Sequence, residues 1–216
     1  MGPSIGVLAL QGAFERHQRH LERLGARVIQ VRRPEHLDGL HGIVIPGGES
    51  TTMSMLLESG GLFDSLAAAI DDGTAVLGTC AGMILLASAV LDGRDDQRHL
   101  DALDITVRRN GYGRQRQSFE TDLTPSWPHG QASDAASSAS SSAAMAGLSS
   151  EPLRAVFIRA PRVESWSDDV EVVAHWDGAP VLMRQGAVVA AAFHPELTRD
   201  DRVHRWFLGI VAEEVV

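Results

Sequence analysis

The single cysteine of the chain lies in Gly78-Thr79-Cys80-Ala81-Gly82, a Gly-x-Cys-x-Gly sequence. This is the thiol counterpart of the Gly-x-Ser-x-Gly turn that presents a nucleophile between a strand and a helix. Small residues two before and two after let the chain turn sharply without clash. The sulfur then stands at a helix N-terminus, where the dipole favours negative charge. The amide of Ala81 points to where an oxyanion develops. A cysteine packed inertly in a sheet is the plain alternative. A nucleophilic thiol needs a base, and the chain has nine His. His17 and His20 fall in the first helix, His204 in the last, and His36, His41, His99 and His129 in loops, all in bland settings. His194 differs: it follows the apolar run Val188-Val189-Ala190-Ala191-Ala192-Phe193 and opens His194-Pro195-Glu196. An extended tripeptide puts His194 and Glu196 on one side, and Pro195 restrains the backbone between them. Glu196 is then placed to orient the imidazole and stabilise its charged form.

A third segment is Pro46-Gly47-Gly48-Glu49-Ser50-Thr51-Thr52. Glycines between a strand and a helix make a turn whose amides face a ligand. A phosphate loop of the Walker type carries a Lys, and all nineteen basic residues here are Arg. A second oxyanion donor at Gly47 and a polar cradle for a small substrate fit better. An ordinary strand–helix connection is the alternative.

These residues need elements to hold them. Ile5 to Leu10, Val28 to Val31, Gly42 to Ile45 and Ala75 to Gly78 are short apolar runs, as strands buried on both faces are. Phe14 to Leu24, a segment from about Thr51 with Ser50 or Thr51 as N-cap, Leu62 to Ile70 and Ala81 to Val90 read as helices. Alternation at this spacing means βαβ units and a parallel sheet. After Leu103 the reading changes to strands at 105–108, 118–123, 155–158, 170–175, 181–184 and 188–193, closed by a helix over 201–214. The expected fold is α/β, a three-layer sandwich with a mostly parallel central sheet and a late antiparallel section. Cys80 and His194 both fall at strand ends, where ligands bind in such sheets.

Length and composition set the bounds. The 216 residues suit a single domain over 1–216 with a substantial core. Residues 125–150 hold a Ser/Ala tract with little to bury, expected as a flexible insertion. The net charge of −9 argues against nucleic acid or an anionic membrane as the main partner. One Cys makes no internal disulfide and no Cys-rich zinc site. No apolar run approaches the ~20 residues of a membrane helix. The start lacks the features of a secretory signal and of a myristoylation site. A cytoplasmic protein without a metal or cofactor is expected.

The segments Gly47-Gly48-Glu49-Ser50-Thr51-Thr52, Gly78-Thr79-Cys80-Ala81-Gly82 and His194-Pro195-Glu196-Leu197-Thr198 resemble the class I (triad) glutamine amidotransferases, whose fold is flavodoxin-like. More narrowly, the chain is similar to the glutaminase subunit of pyridoxal 5′-phosphate synthase. Leu8-Ala9-Leu10-Gln11-Gly12-Ala13, Arg109-Asn110-Gly111-Tyr112-Gly113-Arg114-Gln115, Ser118-Phe119-Glu120 and Phe157-Ile158-Arg159-Ala160-Pro161 extend the likeness along nearly the whole chain. Two departures stand out. The tract between Glu120 and Phe157 is longer than the family's connection, and Gly111-Tyr112 replaces other small and aromatic residues.

The resemblance implies hydrolysis of L-glutamine to glutamate and ammonia, with ammonia passing to a partner synthase (lyase) subunit in a hetero-oligomer. Carried over, Cys80 is the nucleophile, His194 the acid and base, and Glu196 its orienting carboxylate. Gly47 and Ala81 supply the oxyanion hole. Gly48, Glu49, Ser50, Arg109, Ile158 and Arg159 bind glutamine. An Arg suits the substrate's α-carboxylate on chemical grounds as well. The resemblance also implies low activity until the partner docks, with the Gln11-Gly12 loop expected to sense it. Two other readings share the triad: a glutaminase serving another pathway, such as histidine or purine synthesis, and a non-catalytic glutamine sensor. The first would lack the Phe-Ile-Arg-Ala-Pro and Arg-Asn-Gly-Tyr-Gly-Arg-Gln segments, and the second need not keep all three triad residues.

Overall fold

The computed structural model describes residues 2–94, 96–112, 118–128 and 148–214. The four early apolar runs form strands β1 (Ser4–Leu8), β2 (Arg27–Val31), β3 (Gly42–Ile45) and β4 (Ala75–Thr79). Helix α1 (Phe14–Arg23) joins the first two, and α2 (Ser50–Ser59) and α3 (Leu62–Asp71) lie between β3 and β4. Helix α4 (Ala81–Leu86) follows the cysteine. Strands β5 (Ala87–Val90), β6 (Leu103–Arg108), β7 (Ser118–Leu123), β8 (Leu153–Ile158), β9 (Arg162–Trp166), β10 (Glu171–Trp176), β11 (Ala179–Gln185) and β12 (Val188–Ala191) come next. Helix α5 (Arg202–Glu214) is the last described element.

Seven strands make the central sheet in the order β10-β11-β12-β4-β3-β1-β2. From β12 to β2 every pairing is parallel, while β10, β11 and β12 meander antiparallel at one edge. β5-β6-β9 and β7-β8 form two smaller sheets. Helices cover both faces of the main sheet, as the register shows. A Cβ on Gly42 would touch Phe207 and Val211 of α5, while one on Gly78 would touch Leu86 of α4. Gly78 is paired with Ile45, three residues on from Gly42 and so on the opposite face. The α/β three-layer expectation therefore holds, with its antiparallel section at the sheet edge.

Local expectations differ in four places. The segment 81–90 is helical only to Leu86. Ala87 then turns to extended backbone and pairs with Leu103, which starts the β5-β6-β9 sheet. Sheet pairing overrides a run of good helix formers. Strand β9 has no counterpart among the expected strands. Its exposed polar residues hide the alternation, yet it pairs antiparallel with β6. The cap of α2 is Glu49, not Ser50 or Thr51: its carboxylate accepts hydrogen bonds from the amides of Thr51 and Thr52. Finally, the flanks of the Ser/Ala tract are anchored. Trp127 is buried against Trp206 and donates to Ser149 O, and Ser126 N donates to Val173 O. The middle of the tract, 129–147, like Gly113-Arg114-Gln115 of the resemblance, lies outside the described residues.

Candidate active site

Cys80 follows β4 directly and has φ 51° and ψ −103°. A non-glycine residue there is strained, at a cost of about 1–3 kcal/mol, and such strain persists only where the surroundings impose it. Here they do. Cys80 N donates to Ala191 O of β12 at 2.8 Å, and Cys80 O accepts from Ile84 N of α4 at 3.2 Å. The flanking glycines are needed for close packing. A Cβ on Gly82 would lie 2.1 Å from Ile45 O, and one on Gly78 would lie 2.4 Å from Leu86 Cδ1 and 2.8 Å from Gly82 C. The turn exists because α4 presses against β3 and β4 at positions where no side chain fits.

His194 emerges next door. β12 runs parallel beside β4, with Ala191 opposite Thr79. The two strand ends thus deliver Cys80 and His194 to one place. His194 N donates to Val156 O of β8 at 2.8 Å. Its Nδ1 lies 2.8 Å from Glu196 Oε1, which leaves Nε2 as the ring nitrogen for its hydrogen bond to Cys80. Residues Pro195–Leu197 form a 3-10 turn rather than the extended tripeptide expected. The turn brings the carboxylate back to the ring, so the contact is made by a different backbone route. Glu196 is only 2% exposed.

Electrostatics favour a charged imidazole. Burial opposes the charge on His194, but the hydrogen bonds to Cys80 and Glu196 outweigh it and raise the pKa to about 10. Burial likewise raises the Glu196 carboxyl, but His17 and His194 more than offset it and hold the pKa below the ordinary value. A hydrogen-bonded Cys–His–Glu row of this kind can move a proton between sulfur, substrate and water.

In front of this row is a cavity of about 460 Å³, wide enough for an amino acid. Gly47, Gly48, Glu49, Ser50, Cys80, Arg109, Ile158, Arg159, His194 and Glu196 all line it. Ala81 does not line it, and is buried at the start of α4. Gly47 sits between Cys80 and His194: a Cβ there would meet His194 Cε1 at 2.4 Å and Cys80 Cβ at 3.3 Å. Glu49 and Arg109 face each other across the rim, with Arg109 Nη2 donating to Glu49 Oε1 at 2.9 Å and Nη1 to Thr51 Oγ1 at 3.0 Å. Burial would raise the Glu49 pKa, but donors from Thr52 and Thr51 bring it down to about 2. Ser50 Oγ is buried on the cavity wall without a hydrogen-bond partner among the described residues. Cys80 Sγ lies 3.8 Å from Ile158 O, so the end of β8 borders the sulfur. Arg159 follows at φ 43°.

Gln11 and Asn110 also line the cavity. Gln11 Oε1 accepts from Glu49 N at 2.9 Å, which ties the first loop to the Gly-Gly turn. The residue that sequence reasoning passed over is His17. Its helical position looked bland, yet its Nε2 lies 3.4 Å from Glu196 Oε2. Its local spacing carries no signal, because its partners Glu196, His204 and Thr79 all lie far along the chain. Among the described residues no group of three or more His, Cys, Asp or Glu is placed to hold a metal ion.

This geometry agrees with what the chain is similar to. It is 51% identical over 213 residues to the pyridoxal 5′-phosphate synthase subunit PdxT of Corynebacterium jeikeium, covering 98% of each chain. It is 48% identical to the subunit of the same name from Roseiflexus sp., covering 96% of this chain and all of that one. A crystal structure of a glutamine amidotransferase superposes with a TM-score of 0.81 at 42% identity, covering 96% of this chain and 98% of that one. A putative GMP synthase subunit from Thermoplasma acidophilum, 21% identical with a TM-score of 0.64, shares the fold and covers 99% of this chain and 96% of that one. The profile of the SNO glutamine amidotransferase family matches residues 7–127 and 129–213. The chain belongs to the SNO glutamine amidotransferase family.

Proposed function

We infer that the chain hydrolyses L-glutamine to L-glutamate and ammonia, and that the ammonia serves a pyridoxal 5′-phosphate synthase partner. The observation that carries this is the strained Cys80 elbow, set beside the His194–Glu196 pair at the mouth of an amino-acid-sized cavity. Family membership and relatives named as synthase subunits support it.

Each residue then has a role. The Cys80 sulfur attacks the side-chain carboxamide carbon, and the C=O becomes an oxyanion beside Gly47 and Ala81. The C–N bond breaks as His194 gives its proton to the departing nitrogen, which leaves as ammonia. A water, deprotonated by His194, attacks the thioester, and collapse of the second oxyanion releases glutamate and the thiolate. Glu196 keeps the ring oriented through both steps. Arg109 takes the substrate α-carboxylate, while Gly48, Glu49, Ser50, Ile158 and Arg159 line the space for its backbone and chain. Burying the reacting carbon between β4, β8 and β12 restricts bulk water.

The reading treats 1–216 as one catalytic domain acting in the cytoplasm, with 125–150 taking no part in the chemistry. Gln11, bonded to Glu49 N, links the first loop to the oxyanion turn, and so is placed to pass partner docking on to it. Ammonia release from glutamine is the test, measured for the chain alone and with its synthase partner. Turnover that rises on mixing and vanishes in Cys80→Ser is expected. Glutamine binding without turnover in either case would favour a sensor.

A further inference from the structure

We propose that His17 is a positioning residue for the triad: its Nε2–H donates to the Glu196 oxygen that His194 does not use, fixing the carboxylate that fixes His194. This rests on the glutaminase reading. Glu196 Oε1 serves His194, while Oε2 is buried with no hydrogen-bond partner among the described residues, and His17 Nε2 faces it at 3.4 Å. An unsatisfied buried carboxylate oxygen is costly. The separation is longer than a normal hydrogen bond, as catalytic contacts often are before substrate tightens the site.

The tautomer follows from what lies behind. His17 Nδ1 is 2.9 Å from His204 Nε2, so one nitrogen donates and the other accepts. His204 Nδ1 is buried without a partner among the described residues. A proton there would be an orphaned donor, and His17 would then donate from Nδ1 and turn an Nε2 lone pair, with only the Thr79 hydroxyl to satisfy it, toward the Glu196 carboxylate. With the proton on His204 Nε2, His17 accepts at Nδ1 and carries its own proton on Nε2, toward Glu196. This second arrangement leaves no ring N–H unpaired and turns no lone pair toward a carboxylate. Thr79 Oγ1, 3.3 Å from His17 Nε2, sits at the same point.

The surroundings keep both rings neutral. Burial lowers the pKa of His17 to about 4 and that of His204 well below its ordinary value. Glu196 on the 3-10 turn opposes this for His17, while His194, His20 of α1 and, for His204, Arg23 reinforce it. His20 stacks on His204 with ring centroids 4.5 Å apart, and is itself paired with Asp201. A neutral donor orients Glu196 without taking its charge, and leaves that charge for His194.

Two substitutions separate positioning from packing. The amide of Asn overlays Nδ1 of His, whereas that of Gln reaches the position of Nε2. His17→Asn keeps the contact to His204 and loses Glu196; His17→Gln does the reverse. With glutamine as substrate and the synthase partner present, His17→Asn is expected to lower kcat about 10–100-fold, the range typical of groups that orient a catalytic side chain, with KM unchanged within about twofold. His17→Gln is expected to stay within about threefold of wild type. The acid limb of the Cys80 alkylation rate should move to higher pH in His17→Asn alone, because Glu196 then takes up a proton more readily. Equal losses in both variants, no loss in either, or a greater loss in His17→Gln would overturn the proposal. Should a variant not fold, nitrogen-15 NMR of the wild-type histidines decides: a His17 proton on Nε2 supports it, one on Nδ1 refutes it. Wild-type protein no more active than Cys80→Ser would instead sink the glutaminase reading, and the NMR result would still judge the tautomer.

Discussion

The two sides of Glu196 are built on opposite principles. Behind it, His17, Thr79 and His204 are wholly buried, neutral or uncharged, and held by packing between α1, β4 and α5. In front, the rim of the cavity is held by charge: Arg109 pairs with Glu49 in a site still open to water. The back cannot move without opening a cavity in a core packed like a crystal. The front is a set of loops joined by an ion pair and a few hydrogen bonds, worth little when screened. On the proposed function, orientation of the triad belongs to the core, and recognition of the substrate to a rim that can adjust.

Cys80→Ser should lower glutamine turnover by about 10⁴-fold or more, as loss of a triad nucleophile does, with an unchanged fold by circular dichroism. Retained activity would remove Cys80 from the mechanism. Glu196→Gln should lower kcat by on the order of 10²–10⁴-fold, because an amide cannot stabilise the imidazolium and favours the wrong tautomer. If the rim rather than the core governed orientation, this variant would alter KM instead.

Gly82→Ala tests the packing that makes the elbow. Its new Cβ would press on Ile45 O, a backbone atom that cannot swing away. A loss of about 1–3 kcal/mol is expected in urea unfolding, together with loss of turnover.

Acid should weaken the two sides in different windows. His17 has a folded pKa of about 4 against 6.5 when unfolded. Between these values the unfolded chain binds a proton that the folded chain refuses, so stability falls as pH drops from 6.5 toward 4, by up to ~1.4 kcal/mol per pH unit. Glu49 has a folded pKa of about 2 against 4.5. Its contribution is complete above 4.5 and lost as pH falls toward 2. Urea unfolding across pH should therefore show the upper slope in Glu49→Gln and the lower slope diminished. A Glu49→Gln variant that flattens the upper window would contradict the division.

The smallest effect belongs to the rim. Arg109→Ala should raise KM about tenfold, the worth of one charge-assisted contact to a carboxylate, and change kcat little. A fall in kcat equal to that of Glu196→Gln would show the rim acting on the catalytic groups directly.

Much of this was legible in the residues. Continuous apolar runs such as Gly42–Ile45 mark doubly buried strands, and β3 matches that run residue for residue. The Gly-x-Cys-x-Gly sequence marked the elbow, because few other settings need two glycines at that spacing. The β5 strand was hidden because Ala87–Val90 is a fair helix on propensity, and only its pairing partner Leu103 decides otherwise. Glu49 as a cap was masked by the better-known capping residues beside it.

Residue types supply the available chemistry: one thiol, one His-Pro-Glu, a Gly-Gly turn after an apolar strand, and an α/β alternation that brings strand ends together. These are local facts, set by residue type and spacing. Which groups meet depends on the packing of remote elements. It placed His194 against Cys80 through the pairing of β12 with β4, turned Glu196 back by a 3-10 turn, and brought His17 and His204, 187 positions apart, into contact behind it. Hydrogen bonds between remote side chains depend on the packing of whole helices and leave no periodic trace in the chain that makes them.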